Sequence, residues 1–173
     1  MSESEQPAIE SLGSQPYVAI RGDVSPDTFR GFVDTSFSKP FEWLGSQGMA
    51  PAGAPFIRYL ALDDAGNPAR IELCAPVGEP VSPGDGLVAG ELPAGRFVTY
   101  THVGPFRHEE LDDLGDAVAK VLSWAKDRDI ELDQTRTESG TRPVASAEFY
   151  LGDPKSEPDF TKWRTRIVML AAD

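Results

Sequence analysis

The chain repeats one order of predicted elements, strand, helix, strand, strand, in its two halves, and this repeat constrains the fold more than any other feature. Three motifs recur in the same order at equivalent places: Trp43 and Trp124, Tyr59-Leu60 and Tyr150-Leu151, and Arg70-Ile71 and Arg166-Ile167. The separation grows from 81 to 91 to 96 residues, as expected when loops lengthen in one copy of a duplicated module. We therefore predict an α+β fold, a tandem βαββ repeat with pseudo-twofold symmetry.

Each repeat is expected to contribute an antiparallel sheet and one main helix. The first repeat spans about residues 16–78 and the second about residues 95–173, with a Gly- and Pro-rich linker at about residues 79–94. Residues 133–141 are interpreted as a polar loop. Two such modules create a central ligand cleft at their seam, since such interfaces are common binding sites. We expect the helices on one side of the molecule and the seam on the other.

The first fifteen residues have a composition unlike that of a folded segment. They are rich in Ser, Glu and Gln and hold only two large aliphatic side chains. Such a segment buries too little apolar surface to offset the entropy that it loses on ordering. We predict a disordered and dispensable N-terminal tail over residues 1–15, with one folded domain over residues 16–173.

The net charge of -12, from 28 acidic and 16 basic residues, disfavours nucleic acid as a partner and favours cationic partners. An acidic surface also aids solubility, so charge alone does not separate the two interpretations. Cys74 is the one cysteine and there are two histidines, which leaves little from which to build a metal site. No metal or cofactor is predicted. Without a membrane-length apolar run or a basic, apolar leader, the chain is expected to be cytoplasmic and not a membrane protein.

A carboxylate stands among strand-forming residues in the stretch that ends at Gly152-Asp153-Pro154. Side chains alternate across a strand, so Glu148 and Tyr150 share one face while Phe149 and Leu151 share the other. If the second pair points into the core, the first faces either water or a cavity. Residues 147–154 alone do not decide between water and a cavity. A carboxylate is seldom buried without a partner, which favours water.

The sequence resembles the GyrI-like small-molecule-binding, or effector-binding, domains from about Tyr17 to the C-terminus. Four segments carry the resemblance: Thr101-His102-Val103-Gly104-Pro105-Phe106, Leu122-Ser123-Trp124, Glu148-Phe149-Tyr150-Leu151-Gly152-Asp153-Pro154, and Thr165-Arg166-Ile167. The resemblance implies a bacterial protein whose central pocket takes lipophilic, often cationic compounds, with Glu148 as the principal acid. Because little sequence precedes Tyr17, we expect a stand-alone member rather than the sensor half of a transcription regulator.

The candidate ligand-binding residues form an acidic, aromatic-lined set: Glu148, Tyr150, Trp163, Tyr59, His102 and Phe106. The last two depart from the family pattern, in which tyrosines are frequent at those places. Flat aromatic rings offer a cation both apolar area and cation–π attraction.

Three functions follow from the resemblance. The first is multidrug binding, which senses or sequesters lipophilic, cationic or planar aromatic molecules and so gives toxin resistance. The second is hydrolysis of cyclopropane-bearing genotoxins, with Glu148 as the catalytic residue that activates water. The third is a protein-interaction module that protects gyrase.

Overall fold

The computed structural model of the chain describes residues 6–84, 86–104, 113–151, 158–159 and 162–172. Its helices are α1 (Phe29–Ser36), α2 (Ser38–Ser46) and α3 (Asp113–Asp127). The strands are β1 (Ala8–Leu12), β2 (Gln15–Asp23), β3 (Phe56–Asp63), β4 (Pro68–Pro76), β5 (Val88–Leu92), β6 (Gly95–Val103), β7 (Gln134–Thr137), β8 (Gly140–Pro143), β9 (Ser146–Tyr150) and β10 (Arg164–Leu170). All ten belong to one antiparallel sheet.

The order of the strands across the sheet is symmetric. It runs β1-β6-β10-β9-β3-β4-β2-β5, with the β7–β8 hairpin attached to β3. Reading inward from both ends pairs β1 with β5, β6 with β2, β10 with β4 and β9 with β3 as equivalent strands. The bounds of β5 and β6 also equal those of β1 and β2 shifted by 80 positions. The predicted tandem α+β repeat with pseudo-twofold symmetry is therefore confirmed, and its seam lies between β3 and β9.

Each repeat begins with a strand that was not predicted, and that strand pairs with a strand of the other half. Ala8–Leu12 is strand β1 and pairs with β6, so the expectation of a disordered tail over residues 1–15 is wrong for this stretch. Val88–Leu92 is strand β5 and pairs with β2, inside the predicted linker. Both strands are short and half polar. Their order comes from backbone pairing to a distant strand, which local composition does not reveal.

The predicted polar loop over residues 133–141 differs from the structure, whereas the break in the first helix agrees with its sequence. Residues 133–141 hold strand β7 and the start of β8, and the pairing of Leu62 with Thr141 joins this hairpin to β3. The first helix is broken at Phe37 into α1 and α2, as the helix-weakening Gly31 and Pro40 suggest. The apolar spacing of the second repeat also predicts a long helix from Phe106 or His108 to about Asp129; its start falls outside the described residues, and α3 is described from Asp113.

The sheet curls around one of its two faces. One hydrophobic cluster joins side chains from strands near both ends of the sheet, and it includes Tyr17, Phe56, Phe97, Leu92, Val168 and, at its edge, Phe149. Tyr17 and Phe56 meet edge to face at 5.4 Å between ring centroids. Residues so far apart in strand order meet only if this face is concave. The sheet is therefore a half-barrel whose interior forms the main core.

The opposite, convex face carries the helices. Val18, Ala75 and Val77 pack against Leu44 of α2, and Ile57, Ile71 and Leu73 pack under α1. In the second half, Val98, Ile167 and Met169 pack against Ala117, Val121 and Ala125 of α3. No helix within the described ranges is long and apolar enough to cross a membrane.

One buried polar network lies on the concave face. The Glu72 carboxylate is buried, accepts a hydrogen bond from the Tyr17 hydroxyl and pairs with Arg21 at 2.8 Å. Arg58 donates to the Tyr17 hydroxyl at 2.8 Å. Its guanidinium also donates to the carbonyl oxygen of Val144 at 2.8 Å. This network links β2, β3 and β4 to the segment before β9, and each charged group in it has a partner.

Candidate functional site

Glu148 lies at the seam, on the convex face. Its Cα partners are Ile167 on β10 and Ile57 on β3. The first of these packs under α3 and the second under α1. Directly opposed residues of antiparallel strands share a face, so Glu148 occupies the strip of sheet between the two helical layers. The seam site is thus on the same side as the helices, and the expectation that placed it on the other side is wrong.

Successive side chains along β9 point to opposite faces of the sheet, so that core residues alternate with residues of the candidate site. Phe149 joins the concave core and stacks against Phe56 at 4.5 Å between ring centroids. Tyr150 joins the cluster under α1 on the convex face. The Glu148 side chain on that same face is only 7% exposed, so it does not face bulk water.

Two tyrosines hold the carboxylate. The Tyr59 hydroxyl donates to Glu148 Oε1 at 2.6 Å, and the Tyr150 hydroxyl donates to the same oxygen at 3.1 Å. The strand registers make these tyrosines equivalents in the two repeats, as the sequence comparison predicts. Hydrogen bonds to an ionised acceptor are short and strong, and they partly replace the water that a buried carboxylate loses. Each repeat therefore contributes one tyrosine hydroxyl, from equivalent positions, to the same carboxylate.

Both phenols stay protonated over the physiological range. Burial raises the pKa of Tyr59 and of Tyr150 well above the ordinary value, and the charge of Glu148 raises both further. Neither tyrosine is therefore available as a base near neutral pH. Each is a hydrogen-bond donor to the Glu148 carboxylate.

Aromatic side chains pack in the same cluster as the two tyrosines that hold this acid. The ring of Phe37, at the break between α1 and α2, meets Tyr150 edge to face at 6.3 Å between centroids. Phe41 lies 6.2 Å from Phe37, and Phe29 and Phe32 belong to the same cluster. Phe37 is absent from the predicted site because its place between two helix pieces gives no signal in the sequence. Phe37, Phe29 and Phe32 thus add aromatic side chains beside Tyr150 that were not among the predicted site residues.

Two of the other predicted site residues, His102 and Trp163, lie near the end of β9 that carries Tyr150. His102 on β6 is the Cα partner of Thr165 on β10, which is also the partner of Tyr150. Trp163 precedes β10, and its carbonyl oxygen accepts a hydrogen bond from the Gly104 N–H at 2.7 Å. Phe106 falls outside the described residues. The structure thus joins Glu148, Tyr59 and Tyr150 by direct hydrogen bonds, with His102 and Trp163 at the end of the sheet next to Tyr150.

The two repeats differ in polarity at this site. The registers relate Glu148 to Ile57 and Thr165 to Ile71. In the first repeat both positions hold buried isoleucines under α1. The fold therefore does not require polar groups here, and their presence in the second repeat needs another explanation. Within the described part of the chain, no three His, Cys, Asp or Glu side chains come close enough to hold a metal ion.

The raised pKa values predict a loss of stability in alkali. Burial raises the pKa of Tyr17 as well as those of Tyr59 and Tyr150. Below pH 10 these phenols are protonated in both states; above it the unfolded chain loses the protons that the folded chain keeps. The free energy of unfolding should then fall by up to about 1.4 kcal/mol per pH unit for each tyrosine. Denaturant titrations between pH 9 and 12 measure this slope.

A matched variant and a spectroscopic readout test that interpretation. Tyr59→Phe should reduce the fall in the free energy of unfolding per pH unit above pH 10 by the contribution of one tyrosine. Phenolate absorbance near 295 nm should rise for the buried tyrosines only as circular dichroism reports unfolding. Ionisation of all four tyrosines in a chain that still gives a native spectrum would contradict the burial of these phenols.

A family model described as the GyrI-like small molecule binding domain matches residues 5–170. Among curated proteins, none matches the chain significantly in sequence.

Several solved structures share the fold. EcmrR in a DNA complex superposes with a TM-score of 0.69 at 18% identity, over 97% of this chain and 57% of EcmrR. A hydrolase from Listeria innocua gives 0.62 at 12% identity, over 99% of this chain and 94% of that one. SAV2435 bound to tetraphenylphosphonium superposes with a TM-score of 0.61 at 10% identity, over 96% of this chain and 94% of that one. At these identities the likeness concerns the fold alone, and this chain spans little more than half of EcmrR.

Proposed function

This chain belongs to the GyrI-like small-molecule-binding domain family, and from that premise we propose that it binds lipophilic organic cations at Glu148. Binding of this kind sequesters or senses cationic drugs and toxins. Tyr59 and Tyr150 hold the carboxylate in place, and Phe37 with the neighbouring aromatics supplies the apolar wall.

One observation carries the proposal: a carboxylate that is 7% exposed lies among aromatic side chains on a face that the other repeat fills with isoleucine. Removing a carboxylate from water is costly, and two neutral phenols compensate only in part. An organic cation about 4 Å away is attracted by about 4 kcal/mol at an effective dielectric constant of 20, before desolvation is subtracted. Such a ligand brings a positive charge to the carboxylate and buries its own apolar surface in the same step.

The ligand of a structural neighbour supports this chemical class. SAV2435 has been solved with tetraphenylphosphonium, a cation whose charge is enclosed by four phenyl rings. A ligand of that type cannot donate a hydrogen bond to Glu148, so its recognition depends on charge and on aromatic contact. Both are features of the site in this chain.

The test compares a cation with a neutral molecule of related shape. Isothermal titration calorimetry with tetraphenylphosphonium and with triphenylphosphine oxide measures how much affinity depends on charge. We expect the cation to bind at least tenfold more tightly, which corresponds to about 1.4 kcal/mol. Added salt should weaken the cation's binding only moderately, because a buried pair is screened less than an exposed one. Equal affinities for the two molecules would contradict the proposal.

Hydrolysis is the second candidate, and the contact between Glu148 and two protonated phenols favours it. The carboxylate takes a proton from water as the water oxygen bonds to a cyclopropane carbon. The strained C–C bond breaks, its electron pair moves into the substrate's conjugated acceptor, and that acceptor takes a proton from a tyrosine. The proton on Glu148 then restores the phenol, so that the net reaction adds one water.

Mass spectrometry distinguishes turnover from binding alone. Incubation with an electrophilic cyclopropane compound should give a product heavier by one water only if the chain is a hydrolase. In that case Glu148→Gln should keep substrate binding and lose product formation. Binding without any product leaves the first candidate.

A further inference from the structure

We propose that Thr165 is a second anchor in the Glu148 site and selects ligands that carry a hydrogen-bonding group beside their cationic centre. The inference rests on the proposed function and extends it, since it names a second feature of the ligand. Thr165 is fully buried, with 0% exposure. Within the described residues, its hydroxyl has no hydrogen-bond partner.

A buried hydroxyl without a partner destabilises the folded protein, and the large majority of such groups are satisfied. Thr165 also lies in a strand that is paired on both sides, with His102 on β6 and Tyr150 on β9, so the backbone groups there bond to each other along the ladder. The hydroxyl therefore has donor and acceptor capacity that a bound molecule can use.

The position of Thr165 ties it to the Glu148 site. It lies on the convex face as the Cα partner of both His102 and Tyr150. It is also two residues from Ile167, the partner of Glu148, which makes Thr165 and Glu148 diagonal neighbours across β9 and β10. Diagonal neighbours on one face of a sheet are roughly 7 Å apart. One small ligand can therefore contact both side chains.

Comparison of the two repeats argues against a purely structural role. The equivalent of Thr165 is Ile71, which is also 0% exposed and packs in the cluster under α1. The equivalent of Glu148 is Ile57, at 2% exposure. The fold fills both positions with isoleucine in one repeat, and in the other it places a carboxylate and a hydroxyl side by side. Two polar replacements at adjoining positions indicate one binding function.

The chemistry defines the ligand class. Glu148 recognises the positive charge, and a threonine hydroxyl can donate to a carbonyl or accept from a hydroxyl or amine. The favoured ligand is an aromatic or aliphatic cation with such a group near its charge. A cation surrounded only by hydrocarbon uses the first anchor and leaves the second unpaired.

Thr165→Val tests this inference, because valine keeps the branched shape and removes the hydroxyl. The probes are tetraphenylphosphonium and the ortho, meta and para isomers of (hydroxymethyl)phenyl-triphenylphosphonium. We expect one isomer or more to bind the parent protein more tightly than tetraphenylphosphonium does. In Thr165→Val that isomer should lose about fivefold or more in affinity, while tetraphenylphosphonium should change by less than about twofold.

Ligand-free stability and a second variant complete the test. Thr165→Val should unfold at the same or a higher denaturant concentration than the parent, because no satisfied hydrogen bond is removed. Thr165→Ser keeps the hydroxyl and should keep the preference for the hydroxymethyl isomer. A marked loss of ligand-free stability in Thr165→Val would show that the hydroxyl has a structural partner, and it would overturn the inference.

The remaining outcomes separate this inference from the proposed function. If tetraphenylphosphonium binds the parent but no isomer distinguishes the parent from Thr165→Val, the second anchor is wrong and the cation site stands. The same conclusion follows if Thr165→Val weakens the binding of all four cations equally. If none of the four cations binds the parent, the proposed function fails and the inference fails with it.

Discussion

Glu148→Gln is expected to weaken the binding of tetraphenylphosphonium by tenfold or more, or at least about 1.4 kcal/mol. Glutamine keeps the size of the side chain and an oxygen that accepts from Tyr59 and Tyr150, so the loss isolates the negative charge. Affinity for triphenylphosphine oxide should change little, since a neutral ligand gains little from the carboxylate. Calorimetric titration of both variants with both ligands measures the difference.

An exposed acid provides the matched control. Glu138→Gln removes one negative charge from a chain with a net charge of -12, at a residue whose side chain is exposed. It should leave cation affinity within about twofold, because exposed charges at a distance are screened by salt. Ligand-free Glu148→Gln should be as stable as the parent or more stable, because a buried charge has been removed. If Glu148→Gln binds the cation as tightly as the parent does, the site assignment is wrong.

Deletion of residues 1–12 is expected to lower the melting temperature by about 10 °C. The deletion removes β1 from the edge of β6, and with it Glu10, which accepts from Arg166 at 2.7 Å and from Thr99 at 2.6 Å. Leu12 and Ile9 also pack against the two clusters that flank this strand. These losses amount to roughly 3 kcal/mol or more. In a domain of this size each kcal/mol shifts the melting temperature by about 2–4 °C.

A shorter deletion and a point variant refine this prediction. A chain that begins at Gln6 keeps β1 entire and should melt close to the parent temperature. Glu10→Gln should account for part of the loss, because it weakens the charged contacts and leaves the strand in place. A change of only a degree or two after deletion of residues 1–12 would show that β1 contributes nothing, as composition alone had suggested. Calorimetry or thermal circular dichroism measures all three proteins.

The repeat and the carboxylate in strand β9 could be predicted because each leaves a recognisable pattern in the sequence. Tyr59 and Tyr150 occupy equivalent strands, and matching them by sequence placed both at one site. Glu148 stood out as a carboxylate within an apolar strand, and the family resemblance made it the predicted acid of the pocket. The match of Arg70 with Arg166 is wrong, since the registers relate Arg166 to Glu72. A shift of two residues keeps a side chain on the same face of a strand, so the pattern looks equally good in either register.

The features that were missed depend on distant contacts. Strands β1 and β5 become strands by pairing with the opposite half, and no periodicity within five residues shows that. Phe37 reaches Tyr150 only because the helix breaks beside it. Thr165 is an ordinary residue for a strand, and its significance appears only when its burial, its unpartnered hydroxyl and its isoleucine equivalent are known together.

The single carboxylate at a nearly symmetric seam has a consequence for stoichiometry. Tyr59 and Tyr150 obey the pseudo-twofold relation, and a site that obeyed it fully would accept a ligand in two equivalent orientations or accept two ligands. Ile57 stands where that symmetry would require a second acid. The charge therefore lies on one side of the axis, and under the proposed function it should fix which end of an unsymmetrical cation enters first. Each chain should saturate with one cation, bound in one orientation and without cooperativity between its halves.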